Sequence, residues 1–303
     1  MDITRGNINA VFTSFATRYQ SAYGEASTWF ERVSTTVPSG SRSTKQIWLS
    51  LLPRMREWVG ERIAHNLSAN EYELKNKDYE LTVEVERNDI MDDQLGVYAP
   101  IVDHIGRSAK KHPDDLMVDL FRNGNAAASV TYDGKPFFAT DHPVSMSDAT
   151  AQANYGTSTA LNATNYAAKR AAMMTYKGED GRPLGIVPNL LVVPPQLEAT
   201  ARTILNADMV SDGAGAGISN VHRGSADLLV IPELSVDATA WYLLDTSKVI
   251  KPFVFQQRMQ PNFVKKTEVT DDNVFYLKKF IMGVDSRDVG GYGLWFTASK
   301  WVG

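Results

Sequence analysis

Five histidines, His65, His104, His112, His142 and His222, are the first places to look for acid–base or metal chemistry. Their spacing matches no HExxH or comparable ligand pattern. Asp103-His104 and Asp141-His142 are adjacent in sequence, which points their side chains apart on a helix or strand. The Asp141-His142-Pro143 run is expected to stabilise a turn. Asp89, Asp92 and Asp93 carry enough charge to attract a divalent cation. They also stand at the head of an apolar helical pattern, where acidic groups match the positive end of a helix dipole, and that reading is preferred. Gly213, Gly215 and Gly217 alternate like a phosphate loop, but no Lys-Ser/Thr pair follows, so a mobile loop is expected. Without cysteine the chain has no disulfide, thiolate metal site or cysteine nucleophile. No catalytic, cofactor-binding or metal-ligating set is expected.

The bulk numbers fit that outcome. A chain of 303 residues with 43% hydrophobic and 22% charged residues can bury a sizeable core in one large or two modest domains. A net charge of −4 is not that of a dedicated nucleic-acid binder. No run approaches the roughly 18 apolar residues of a membrane helix. The start, MDITRGNINAVF, lacks the basic-then-apolar order of a signal peptide, so a cytoplasmic place is expected. Charge is uneven along the chain. Residues 1–60 carry seven Lys/Arg against four Asp/Glu, residues 61–93 four against ten, and residues 248–268 five against one. This is either surface variation or a set of complementary faces on neighbouring copies.

The elements follow from periodicity. Ile8, Val11, Phe12, Phe15, Tyr19 and Tyr23 fall three and four apart, one apolar stripe on a helix that Gly24 would stop. The polar stretch 37–46 reads as an irregular linker, which makes residues 1–46 an arm. That arm needs its own body or a neighbour to cover its stripe. Around Trp48, Leu49, Leu51, Leu52, Met55 and Trp58, Pro53 predicts short helical turns about a bend. Tyr79, Leu81, Val83 and Val85 then alternate with Glu80, Thr82, Glu84 and Glu86, a strand with one dry face. Tyr72 and Leu74 alternate likewise upstream, with Lys75-Asn76-Lys77-Asp78 between as a polar turn. Together they predict a β-hairpin, marginal alone and so expected to rest on another subunit.

From residue 89 the period becomes helical through Met91, Leu95, Tyr98, Val102, Ile105 and Ala109, with a kink expected at Pro100. Pro113 is expected to open a second helix ending at Gly124. Asp133-Gly134 predicts a turn, and a helix is expected at about 164–176. The second half reads as α+β. Strands are expected at Leu190–Val193, Leu228–Ile231, Trp241–Leu244, Val249–Phe255, Val264–Val269, Val274–Ile281 and Leu294–Phe296, with a helix from Gln196 to Ala207.

This order of parts resembles the Hong Kong 97-type capsid fold of tailed phages: arm, acidic hairpin, long spine helix, then an α+β half. Shorter runs look like the Mu-like phage and prophage major head subunit family. They are Leu52-Pro53-Arg54-Met55-Arg56-Glu57-Trp58-Val59-Gly60-Glu61-Arg62, Asn76-Lys77 with Tyr79-Glu80-Leu81-Thr82-Val83, and Asp89-Ile90-Met91-Asp92-Asp93. Asp133-Gly134-Lys135-Pro136-Phe137-Phe138, Asp141-His142-Pro143, residues 189–195 and Gly290-Gly291-Tyr292-Gly293 extend the likeness over about residues 8–300.

The resemblance implies an icosahedral phage head built from hexamers and pentamers around double-stranded DNA, with the protein located in the virion and in the host cytoplasm during assembly. It implies an N-terminal arm (1–46) and a peripheral part (47–184) holding an extended loop at about 62–88 and a spine at about 89–123. An axial domain (185–280) and a C-terminal return to the peripheral part (281–303) complete it. Interface candidates are Phe12, Phe15 and Tyr19 on the arm, and Tyr79, Leu81, Val83, Val85, Glu80, Glu84, Glu86, Lys75 and Lys77 on the hairpin. The implied partners are other copies of the chain, with scaffold, maturation protease and portal proteins, and no membrane. Non-specific contact with packaged DNA would use Lys248, Lys251, Arg258, Lys265 and Lys266, although a solvated or subunit-facing strand edge is the preferred reading of these. Some related shells cross-link a lysine to an asparagine, and Lys75 and Lys77 lie near the expected hairpin tip, but no partner asparagine or acid is identified. A same-fold nanocompartment around enzyme cargo and a soluble hydrolase are the competing functions.

Overall fold

The computed structural model describes residues 4–49, 69–92, 94–144, 150–178, 181–211, 217–268 and 270–303. The motif at 52–62, His65, Asp93, Gly213 and Gly215 lie outside them. In chain order the first half holds α1 (Arg5–Glu25), α2 (Phe30–Val33), β1 (Ser34–Pro38), β2 (Ser43–Leu49), β3 (Ala69–Lys75), β4 (Lys77–Glu86), α3 (Arg87–Met91) and α4 (Ala99–Asn123). Next come β5 (His142–Pro143), β6 (Ala151–Gln152), β7 (Tyr155–Gly156), α5 (Ala163–Met174), β8 (Leu190–Val193), α6 (Glu198–Asn206), β9 (Met209–Ser211) and β10 (Gly217–Ser219). The chain ends with β11 (Asp227–Val230), β12 (Ala240–Leu244), β13 (Phe253–Lys266), α7 (Asp272–Leu277), β14 (Lys279–Tyr292) and β15 (Ala298–Val302). Among the described residues, no helix is long and apolar enough to cross a membrane.

Two sheets organise the chain. One has the order β1-β13-β14-β4, with β1 parallel to β13 and the other pairs antiparallel. The other has the order β11-β8-β12-β15-β7. Its strand β12 is buried at all five positions, as a continuous apolar run in a covered sheet should be. Between the sheets runs α4, 25 residues and roughly 37 Å long at 1.5 Å per residue. Its first half gives Val102, Ile105 and Ala109 to a core shared with α1, β4 and β14. Its second half gives Met117, Val118 and Phe121 to the larger core around the five-stranded sheet. Lys300 of β15 donates to the carbonyls of Phe121 (3.4 Å) and Arg122 (2.9 Å) and to Asn125 Oδ1 (2.9 Å). A cation there meets the negative end of the α4 dipole and ties the spine to that sheet.

Several expectations are corrected. Pro100 does not kink a helix and Pro113 does not open one. Pro100 sits in the first turn of α4, where its missing N–H is not needed, and Pro113 lies inside the continuous helix. The polar stretch 37–46 is mostly the end of β1 and the start of β2. The segments 249–255 and 264–269 are not two strands: residues 253–255 of the first and 264–266 of the second belong to the single strand β13, which begins at Phe253. Residues 274–281 are not one strand: α7 comes first and β14 starts at Lys279. Residues 295–297 form a 3-10 turn, and the last strand follows it. The Asp133-Gly134 turn is present, with Gly134 at φ 77°, a left-handed conformation that suits glycine.

The expected hairpin between β3 and β4 is also corrected. β3 pairs antiparallel with β2, Ser43 opposite Lys75, while β4 pairs antiparallel with β14, Lys279 opposite Glu86. The chain does not reverse at residue 76 because Asn76 is a buried anchor. Its Nδ2 donates to Ser39 Oγ (3.0 Å) and the Ser41 carbonyl (2.9 Å), and its Oδ1 accepts from Gln256 Nε2 (2.8 Å). A tight two-residue hairpin turn needs positive φ, which no residue between 75 and 78 adopts. Strand pairing also crosses the expected limit at 280–281: β13 pairs with β14, and β15 pairs with β12 in the five-stranded sheet.

Candidate assembly surfaces

Thr4 caps α1 through its side-chain oxygen, which accepts from the Asn7 N–H. The helix lays its stripe on its own chain. Phe12, Phe15 and Tyr19 are buried, with Phe12 against Phe280 (ring centroids 5.8 Å apart) and Tyr19 against Phe263 (5.3 Å). Gly106 of α4 makes this close: a Cβ there would stand 2.8 Å from the Tyr19 carbonyl oxygen and 3.0 Å from the Ala22 Cβ. Arg18 reaches across to Asp103 with two bonds of 2.6 Å, and that hydrogen bond holds the Asp103 carboxyl below its ordinary value. Burial first, with the neighbouring Tyr23, pushes the Tyr19 hydroxyl up to about 12. The three arm candidates are thus core residues of the single chain, and their stripe needs no neighbour.

Strand β4 splits its candidates by face. Val85 is buried, while Tyr79, Leu81 and Val83 are half-covered on the same side. Glu80, Glu84 and Glu86 point outward, and Lys279 pairs with Glu84 (2.5 Å) and Glu86 (3.7 Å). Tyr79 lies on His112, ring centroids 4.2 Å apart, and His112 Nε2 meets the buried Asp288 Oδ1 at 3.0 Å. β4 is the outer strand of its sheet, and its charged alternation is what keeps an exposed edge from pairing indiscriminately. Lys75 and Lys77 are exposed, but they flank the anchored Asn76 rather than a ribbon tip. The β2–β3 ribbon instead has residues 50–68 as its connection, outside the described residues.

The chemistry-bearing residues act structurally. His142 pairs with Asp133, not with the adjacent Asp141: its Nδ1 is 2.6 Å from Asp133 Oδ2, and its ring stacks on Trp295 at 4.1 Å. Burial alone would raise the Asp133 carboxyl. The bond and charge of His142, the Thr131 hydroxyl and the Lys135 N–H outweigh it and bring the carboxyl below its ordinary value. Asp89 accepts from the Tyr98 hydroxyl, which staples α3 to the start of α4. Among the described residues, no group of three His, Asp or Glu could hold a metal ion. Of the basic candidates, Lys248 donates to the Gly185 carbonyl (2.6 Å), Arg258 to that of Ser39 (3.1 Å) and Lys251 to that of Glu31. Arg258, Lys265 and Lys266 are exposed.

One surface escaped sequence reasoning. α7 turns Val274 inward and leaves Phe275, Tyr276 and Leu277 exposed in a row. The expected strand at Val274–Ile281 takes them in. The Asp271-Asp272-Asn273 run, a helix-start signature, was the signal that marks the helix.

The sequence model described as Mu-like prophage major head subunit gpT matches residues 8–159, 150–234 and 235–301. The major capsid protein of Escherichia phage Mu is 28% identical over 295 residues, covering 97% of this chain and 73% of that one. The Mu-like prophage FluMu major head subunit of Haemophilus influenzae is 27% identical, covering 97% and 72%. Among solved structures, a chain of the bacteriophage JBD30 procapsid is 31% identical and superposes with a TM-score of 0.61, covering 99% of this chain and 76% of that one. The α+β fold is therefore the Hong Kong 97-type capsid fold, and this chain belongs to the Mu-like prophage major head subunit family.

Proposed function

We propose that copies of this chain form hexamers and pentamers that close an icosahedral head around double-stranded DNA. The observation that carries this is end-to-end agreement: one family of head subunits matches the chain from residue 8 to 301. In this reading α4 is the spine, and the β1-β13-β14-β4 sheet with α1 forms the peripheral layer. The β2–β3 ribbon takes the place of the extended loop, in preference to residues 62–88. The five-stranded sheet with α5 and α6 is the axial part. Repeated contacts of modest strength in closed symmetry hold each copy at several sites at once. Scaffold, maturation protease and portal proteins are the further partners such a head requires, and the exposed Arg258, Lys265 and Lys266 are the basic residues available for contact with DNA.

Negative-stain microscopy of the purified protein, alone or with its scaffold, is the test. Closed shells, tubes or capsomer rings are expected, with DNA in particles recovered from the host. Shells filled with folded enzyme would support a nanocompartment, and a strictly monomeric protein with turnover would support a hydrolase; either outcome overturns the reading.

A further inference from the structure

The uneven charge of the sequence is sorted by the fold onto two sides of one layer. β4, from the acid-rich segment, turns Asp78, Glu80, Glu84 and Glu86 away from the core it shares with α1. Lys279 answers Glu84 and Glu86, and Arg287 answers Asp78. The other side of the same sheet is covered by α1 and the first half of α4. There the charge has the opposite sign.

Between Arg5 and Gly24 the sequence of α1 holds no Asp or Glu. Its outer side carries Asn9 and Gln20, both exposed, eleven residues and so three turns apart on one line of the helix. On α4, Arg107 and Lys111 are exposed and stand one turn apart. Lys110 lies at the seam between the helices, its Nζ 5.1 Å from the Tyr23 ring centroid. Arg5 is answered by Glu268, and Arg18 takes Asp103. Among the described residues, Arg107, Lys110 and Lys111 form no ion pair. The basic stretch ends at Lys111, because the next exposed positions of α4 on the way to its end are Asp115 and Asp119.

The chemistry of this surface selects its partner. A protein partner is normally held by a buried aromatic or aliphatic anchor. Among the described residues, none of the large apolar side chains left in water belongs to α1 or α4. What the surface offers instead is cations and side-chain amides, the groups that grip a phosphate backbone without reading its sequence.

We propose that the outer side of α1 and the first half of α4 is a site for the phosphate backbone of duplex DNA, with Arg107, Lys110 and Lys111 as its cations. In a shell this side faces inward and the acidic side of β4 does not. The site rests on the shell reading and lies apart in sequence from Arg258, Lys265 and Lys266.

Two measurements test it. The first is binding of unassembled full-length protein to a short duplex DNA as salt is raised, for the wild type and for Arg107→Gln/Lys110→Gln/Lys111→Gln. The variant should unfold at nearly the wild-type temperature. Each lost phosphate contact should flatten the dependence of log affinity on log salt by about 0.9. For three contacts the wild type should lose about 40-fold more affinity than the variant between about 50 and about 200 mM salt. Equal slopes, or a wild type that does not bind at low salt, refute the site and leave the shell reading standing. The second uses the absence of native cysteine. An Asn9→Cys variant is treated with a maleimide carried on a polymer too large to cross a shell. The thiol should be protected in DNA-filled particles and should react once they are opened and the DNA is digested. Reaction in intact particles would place this side outward, and protection after opening would mean that protein covers it; either overturns the proposal. So does loss of a scaffold protein from immature particles of the triple variant with DNA binding unchanged, which gives the surface to that partner. A wild type that never assembles removes the shell reading, while the salt dependence still judges the site itself.

Discussion

Helices α1 and α7 both display aromatic side chains on one face, and the fold treats them in opposite ways. The α1 stripe is shut against α4 and the four-stranded sheet of its own chain, with Phe12 fully buried. The α7 triplet projects from the end of that sheet and stays exposed, its two rings meeting each other. An amphipathic stripe thus shows only that a helix must be covered, not by whom. The exposed triplet is a different signal: among the described residues it stays in water after the two cores have formed.

The largest test of that contrast is Phe12→Ala. Removing a fully buried ring should cost about 3–5 kcal/mol in urea unfolding. A loss near zero would mean that α1 is not covered in solution by its own chain, and the contrast would collapse. Gly106→Val should follow at about 1–3 kcal/mol, since its side chain would press on the Tyr19 carbonyl and force α1 away from α4. An unchanged unfolding midpoint would argue that the two helices are not in close contact.

Val83→Asp sharpens the case for β4. Its side chain is half-covered beside the α1 core, so a charge there should destabilise the monomer by about 1–3 kcal/mol, besides any effect on shells. A fully stable monomer that fails only to assemble would return β4 to the list of bare surfaces.

Asp133 provides a covered polar counterpart. Its carboxyl lies below its ordinary value in the folded state, so its stabilising contribution is present above the unfolded value, near 4, and is lost as pH falls through the folded value. Asp133→Asn should therefore flatten the acid side of the stability curve, by about 1–2 kcal/mol between pH 5 and pH 2 in thermal unfolding. An acid limb as steep as that of the wild type would remove Asp133 from this account. The smallest effect belongs to Phe275→Ala, which should stay within about 0.5 kcal/mol in monomer stability because its ring is already in water. A larger loss would show that α7 is covered after all.

Much of the local structure was legible. The three-and-four spacing from Ile8 to Tyr23 announced α1, and the helix runs through Gly24 to Glu25. The alternation from Tyr79 to Val85 announced β4 with its dry and wet faces. The unbroken apolar runs at 190–193 and 241–244 announced β8 and β12. Asp89, Asp92 and Asp93 read as the head of one long helix, but only Asp89 stands in a first turn, that of the short α3; Asp92 caps the other end of α3, Asp93 lies outside the described residues, and α4 begins separately at Ala99. The stripe of α1 could not reveal its cover, because Phe280 lies at the far end of the sequence. Nor could Lys75-Asn76-Lys77-Asp78 reveal that it is no turn, since that depends on Ser39, Ser41 and Gln256 converging on one amide.

Taken alone, the amino-acid order determined the long periodic elements such as α1, β4, β8 and β12, which of their faces are apolar, that cysteine chemistry is absent, and a likeness to phage head subunits carried by the order of short motifs. These are properties of neighbouring residues, and backbone geometry expresses them within a few positions. Tertiary structure decided that β3 lies on β2 and β4 on β14, that the arm's stripe faces its own body, and that Phe275, Tyr276 and Leu277 face outward. Pairing and burial depend on which distant segments arrive at the same place, and a periodic pattern constrains its own face without naming the surface that meets it.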